Sequence, residues 1–163
     1  MLPESITRIL DSRDAQVIFD LLDDCSCVFW VDWRQDMDEI VANCKQALQV
    51  RRLSTQRVRP HADADVMTYV RYQNERVRVP THSTRAGRDS ALRSLDELVR
   101  PRYEIRVSAD CLGHDAMAFI AMSAVRWSVL DARYGVRARL RFRPLYTLRR
   151  LFIDRRDIAV RSA

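Results

Sequence analysis

Three short constellations in this chain carry side chains able to do chemistry. His61-Ala62-Asp63-Ala64-Asp65 sets an imidazole and two carboxylates at alternate positions. In an extended segment all three share a face and could hold a divalent cation for hydrolysis. The same residues also read as a polar loop leading into a strand, and no second His or Glu cluster accompanies them. Cys25-Ser26-Cys27 lacks the paired CxxC of a zinc site and has no histidine at ligand spacing. Gly113-His114-Asp115 reads as a turn between strands. There is no serine elbow, Walker loop or dinucleotide fingerprint. Gly87, Gly113 and Gly135 are the only glycines, so a glycine-rich phosphate cradle is absent. The expectation is a non-enzymatic chain without metal or cofactor. A metal-dependent hydrolase using His61, Asp63 and Asp65 is one alternative.

A fourth feature concerns recognition. From Val136 to Arg143, apolar residues and arginines alternate without a break. A period of two predicts a strand. Val136, Ala138, Leu140 and Phe142 would then face a core, and Arg137, Arg139, Arg141 and Arg143 would line the other face. Same-face neighbours on a strand sit roughly 7 Å apart, so water, carboxylates of this chain or an acidic partner must relieve the repulsion. With Arg106 and Arg78 as expected sheet neighbours, these arginines are the candidate partner-binding residues. Nucleic acid is an alternative partner, but readers of single strands interleave aromatics for base stacking. Here the interleaved Ala138, Leu140 and Phe142 would point away, leaving only phosphate contacts.

The 163 residues carry 28 basic and 22 acidic side chains, for a net charge of +6. That total hides a gradient. Residues 1–50 hold ten acids and four bases, whereas residues 101–163 hold six acids and thirteen bases. Of the 28 bases, 27 are arginine, a skew that coding bias alone can produce, so a high isoelectric point is weak evidence for nucleic acid. Asp11, Asp14, Asp20, Asp23 and Asp24 form an acidic alternative surface, suited to a basic partner. The first residues mix charges and show no apolar leader, and no apolar run approaches the roughly 20 residues of a membrane span. The expectation is a cytoplasmic protein that binds no membrane, its four cysteines reduced in the core.

Positioning these residues falls to a series of short elements. Helices are predicted over 3–10, 14–22, 89–99 and 124–134, with one more from Asp36 through Leu48. Strands are predicted over 27–31, 66–72, 76–79, 103–107 and 116–121, with the arginine segment as a sixth. Residues 54–63 and 80–87 read as loops, and the tail from Leu145 to Ile158 reads as a helix. Ser123 suits a helix N-cap, and Gly135 suits the residue after that helix. Asp32-Trp33-Arg34, at a strand end, reads either as an anchor for a partner or as Trp33 in the core with Asp32 paired to Arg34. The sum is α+β: residues 1–163 as a single domain, a mostly antiparallel sheet of about six strands packed with four or five helices.

The order of segments in the C-terminal half resembles bacterial immunity proteins that neutralise polymorphic toxins. The resemblance runs through the Tyr103-Glu104-Ile105-Arg106 strand, then the Asp115-Ala116-Met117-Ala118-Phe119-Ile120 strand. A helix carrying Trp127, Leu130, Tyr134 and Gly135 follows, then Phe142-Arg143-Pro144-Leu145, about 45 residues in all. Trp30-Val31-Asp32-Trp33 is its one N-terminal counterpart. It implies a cytoplasmic binder that occludes a cognate protein toxin and does no chemistry. Immunity proteins vary in charge with their toxins, so the resemblance assigns no partner site.

Overall fold

The computed structural model describes residues 1–152. In chain order they form α1 (Glu4–Asp11), α2 (Ala15–Asp23), β1 (Val28–Asp32), α3 (Met37–Leu48), β2 (Leu53–Val58), β3 (Met67–Tyr72) and β4 (Glu75–Val79). Then come α4 (Arg85–Val99), β5 (Tyr103–Ser108), β6 (Ala116–Ser123), α5 (Ala124–Tyr134), α6 (Val136–Arg141) and β7 (Phe142–Pro144). The architecture is α+β and antiparallel throughout, in two sheets: β1-β6-β5-β7 and β2-β3-β4.

β6 sits inside the larger sheet and is buried from Met117 through Met122, as its unbroken apolar run requires. α3 packs on β1, β6 and β2, and α4 on β3, β4 and β5, so these two helices join the sheets. One continuous apolar core results, running from Ile6 to Phe152. Helix starts follow side-chain chemistry: Asp14, Asp36, Thr84 and Ser123 each accept a backbone N–H of the first turn of α2, α3, α4 and α5.

Buried polar groups tie the elements together. Asp96 of α4 accepts the Ile105 N–H at 2.7 Å and an Arg100 N–H at 2.7 Å. Burial pushes its carboxyl above the ordinary range, against those two bonds. Asp89 accepts the Leu151 N–H at 2.8 Å, while Arg93 donates to the carbonyls of Leu145 and Leu148. This pair holds the segment after β7 against α4. Arg88 is buried and donates to the carbonyls of Trp33 and Gln35 and to the Ser83 hydroxyl, fixing the link between β1 and α3.

The structure corrects three of the expected elements. Residues 54–58, part of the expected loop 54–63, form β2 together with Leu53 and pair with β3 from Leu53↔Tyr72 to Val58↔Met67. The segment after Leu145 makes one 3-10 turn, Leu145–Thr147, and no α-helix up to Phe152. The rest of that expected tail helix, with Arg155 and Arg156, lies outside the described residues. The arginine segment is a helix over Val136–Arg141 and a strand only from Phe142 to Pro144. Alanine, leucine and arginine are strong helix formers, and a helix turns the guanidinium groups outward in different directions instead of lining them up.

Trp127 is wholly buried, packs edge-on against Phe142 with centroids 6.0 Å apart, and donates its indole N–H to the Glu104 carbonyl at 2.8 Å. Trp127→Ala should therefore lower stability by about 3–5 kcal/mol. Chemical denaturation checks this, and a midpoint close to the parent's would refute the assignment.

Candidate protein-interaction surface

The surface begins with a buried arginine. Arg106 on β5 is 5% exposed and lies under α5, its guanidinium carbon 4.2 Å from the centroid of the Trp127 ring. It donates to both carboxylate oxygens of Asp131, at 2.8 and 2.9 Å, and to Glu104 at 2.9 Å. Glu104 and Arg106 are two apart on one strand and so share a face. Burial works to lower the Arg106 pKa, but the bonds to Asp131 and Glu104 outweigh it and hold the group above its ordinary value. The charge is thus kept, and it clamps α5 to β5.

The other expected site residues are dispersed. On α6, Arg137 and Arg141 are one helical turn apart and both reach the end of α1. Arg137 donates to the Leu10 carbonyl and to Asp11 at 3.2 Å. Arg141 donates to the Ser12 carbonyl at 3.3 Å and to Asp110 at 3.0 Å. These cations meet carbonyls left open at the end of a helix. Arg139 points elsewhere, 3.6 Å from Asp131. Arg143 is half-buried on β7, opposite Val107. Arg78 is exposed on β4, in the other sheet. The single arginine face is therefore overturned, and Arg106 is an internal strut.

The same helix reverses part of the expected burial. Ala138 and Phe142 face the core, but Val136 is 71% and Leu140 60% exposed. On α5, Trp127 and Leu130 point inward while Val125 is 73% and Val129 51% exposed. Two apolar pairs at i and i+4 thus stand in solvent on consecutive helices. Residues 124–141 carry five arginines against one carboxylate, Asp131, which is turned toward Arg106. Arg126, Arg133, Arg137 and Arg139 on the same two helices are exposed as well. A period-two pattern hid Val136 and Leu140. The i, i+4 valines of the well-predicted helix α5 were the signal that could have shown the surface.

The remaining constellations resolve as structure. His61 to Ala64 is a turn closed by the Ala64 N–H on the His61 carbonyl at 3.1 Å, so the imidazole and carboxylates do not line one extended face. Among the described residues no group of three or more His, Cys, Asp or Glu side chains could hold a metal. Asp32 pairs with Arg34 at 2.8 Å, which keeps its carboxyl below the ordinary range. Trp33 has Arg85 over its ring at 4.5 Å and Arg34 at 5.7 Å. Asp14 caps α2, Asp11 meets Arg137, and Asp20, Asp23 and Asp24 are exposed near the end of α2. No helix among the described residues is long and apolar enough to cross a membrane.

The two kinds of arginine should behave differently under substitution. Arg106→Met leaves Glu104 and Asp131 without their shared partner and is expected to cost about 3–5 kcal/mol. Arg139→Gln removes one exposed contact and should cost no more than about 1 kcal/mol. Urea denaturation of both variants checks the contrast, and equal losses would show that Arg106 is not the strut.

No protein-family model, no curated protein and no solved structure matches this chain.

Proposed function

We propose that the chain is a binding protein, not an enzyme, which docks a protein partner on the outer faces of α5 and α6. The observation that carries this is Val125, Val129, Val136 and Leu140 standing exposed on the two helices that also expose Arg126, Arg133, Arg137 and Arg139. Apolar side chains of this size in water mark a contact surface when they recur together, and arginine is enriched at such contacts. The local excess of arginine over carboxylate selects a partner with an acidic rim around an apolar centre, which would also speed association. The resemblance in segment order to immunity proteins supports the narrower reading, in which that partner is a cognate toxin held inactive by occlusion in the cytoplasm.

A phosphate-binding role finds less support. Phosphates would meet the arginines but make no use of the exposed Val125, Val129, Val136 and Leu140, and Arg106 is buried against Asp131 and Glu104.

The test compares the parent with a Val125→Asp, Val129→Asp double variant. Both positions are exposed, so melting temperatures should agree closely. The parent, used as bait in its native host, should retain a protein after nuclease treatment, and the variant should bind that protein at least tenfold more weakly. Expressed alone, the retained protein should arrest growth, and co-expression of the chain should relieve the arrest. Retention that disappears with nuclease would transfer the function to nucleic acid. Unchanged affinity in the variant would remove this face from the interface. A parental dimer that the variant loses would assign the face to self-association.

A further inference from the structure

Cys25 and Cys27 are both buried, and their sulfurs lie 3.1 Å apart. A turn holds them there. The Val28 N–H donates to the Cys25 carbonyl at 3.0 Å, closing residues 25–28 between α2 and β1. On one side the Cys25 N–H donates to the Leu22 carbonyl, and on the other the Cys27 carbonyl accepts the Ala121 N–H at 2.9 Å. The backbone that carries both thiols is thus anchored to α2 and to β6. A disulfide needs its sulfurs about 2.05 Å apart, so closure asks for a movement of about 1 Å.

The two cysteines are about equally buried but differ in their surroundings. A cavity of about 390 Å³ is lined by Asp23, Asp24, Cys25, Ser26, Trp30 and Asn43, among others, and Cys27 is not part of its wall. The contact between the two thiols lowers the pKa of Cys25 and raises that of Cys27, which burial raises further. The other two cysteines have neither feature: Cys44 and Cys111 are wholly buried, and burial raises both thiols.

We propose that Cys25 and Cys27 are a reversible dithiol–disulfide site, oxidised by a low-molecular-weight disulfide such as oxidised glutathione. The Cys25 thiolate attacks one sulfur of the small disulfide. That S–S bond breaks, and a glutathione thiolate leaves and takes up a proton. The Cys27 sulfur, losing its proton to solvent, then attacks Cys25. The mixed disulfide breaks, and the second glutathione leaves as a thiol. Two protein thiols are oxidised to one disulfide, and one small disulfide is reduced to two thiols. With a single residue between the cysteines, the closed ring constrains little chain, so the bond is of the readily reduced kind and not a structural staple.

The experiment treats the reduced protein with oxidised glutathione, quenches with acid, alkylates the remaining thiols and maps the peptides by mass. Two of the four thiols should disappear, the peptide spanning residues 25–27 should carry an internal disulfide, and reduced glutathione in excess should restore both. Cys27→Ser should stop at a glutathione adduct on Cys25, and Cys25→Ser should take up no adduct at Cys27. Four free thiols in the treated parent would overturn the proposal, as would pairing through Cys44 or Cys111, or an adduct on Cys27 in the Cys25→Ser variant. The parental map decides the matter by itself should a serine variant fail to fold.

Discussion

The clamp of Arg106 between Glu104 and Asp131, roofed by Trp127, is the interaction on which the C-terminal half depends. Taking a guanidinium out of water costs several kcal/mol, and only close carboxylates with good geometry offset it. Here Asp131 meets it with both oxygens, and the Trp127 ring covers it. A well-packed apolar side chain with apolar partners could give similar stability. What the ions add is position, because two hydrogen bonds to one carboxylate tolerate little rotation of α5 about its axis. With Trp127 and Leu130 held inward by this clamp, Val125 and Val129 are held outward. The exposed valines follow from how the helix is anchored.

The charge gradient along the chain has a structural use. Acids gather in the first third and arginines in the rest, and the fold carries several of those arginines back onto carboxylates and carbonyls of the first third. Arg137 reaches Asp11, and Arg141 reaches Ser12 across 129 positions. Arg88 reaches Trp33 and Gln35, and Arg57 reaches Asp38 at 2.6 Å. Long arginine side chains suit this task, since a planar fork can meet a carboxylate and a carbonyl at once. A net charge of +6 therefore says little about partners until these internal contacts are set aside. Among the exposed arginines of α5 and α6, Arg126 and Arg133 lie on the same helix as the valines, and they give that surface its sign.

Most of the fold was legible because its elements are short and punctuated. Asp36, Ser123 and Gly135 mark helix ends, and Gln73 with Asn74 turns the hairpin between the two strands expected over 66–72 and 76–79. β2 was missed because Leu-Ser-Thr-Gln-Arg-Val buries only its first residue fully, as befits an edge strand with one wet face. The arginine segment misled for a different reason. Its eight residues span only about two helical turns, and alternation over that length is also consistent with a helix whose outer residues are simply exposed. Gly135 held the better clue. Its φ of 56° and ψ of −132° are open to glycine and strained for other residues, so the chain reverses there and starts a second helix.

The candidate sites were less legible than the fold, and for one physical reason. An interface or a reactive pair is defined by what stands next to it in space, which spacing along the chain does not give. Val136 and Leu140 look like core residues in any apolar count and become surface only when α6 turns Ala138 inward. Cys25 and Cys27 look like two more buried thiols until the turn after α2 sets their sulfurs 3.1 Å apart. Arg106 looks like one more rung of a basic face until Asp131, 25 positions later, arrives with α5. In each case the deciding neighbour comes from how an element is anchored, so the buried polar clamps determine which side chains remain available to solvent and to each other.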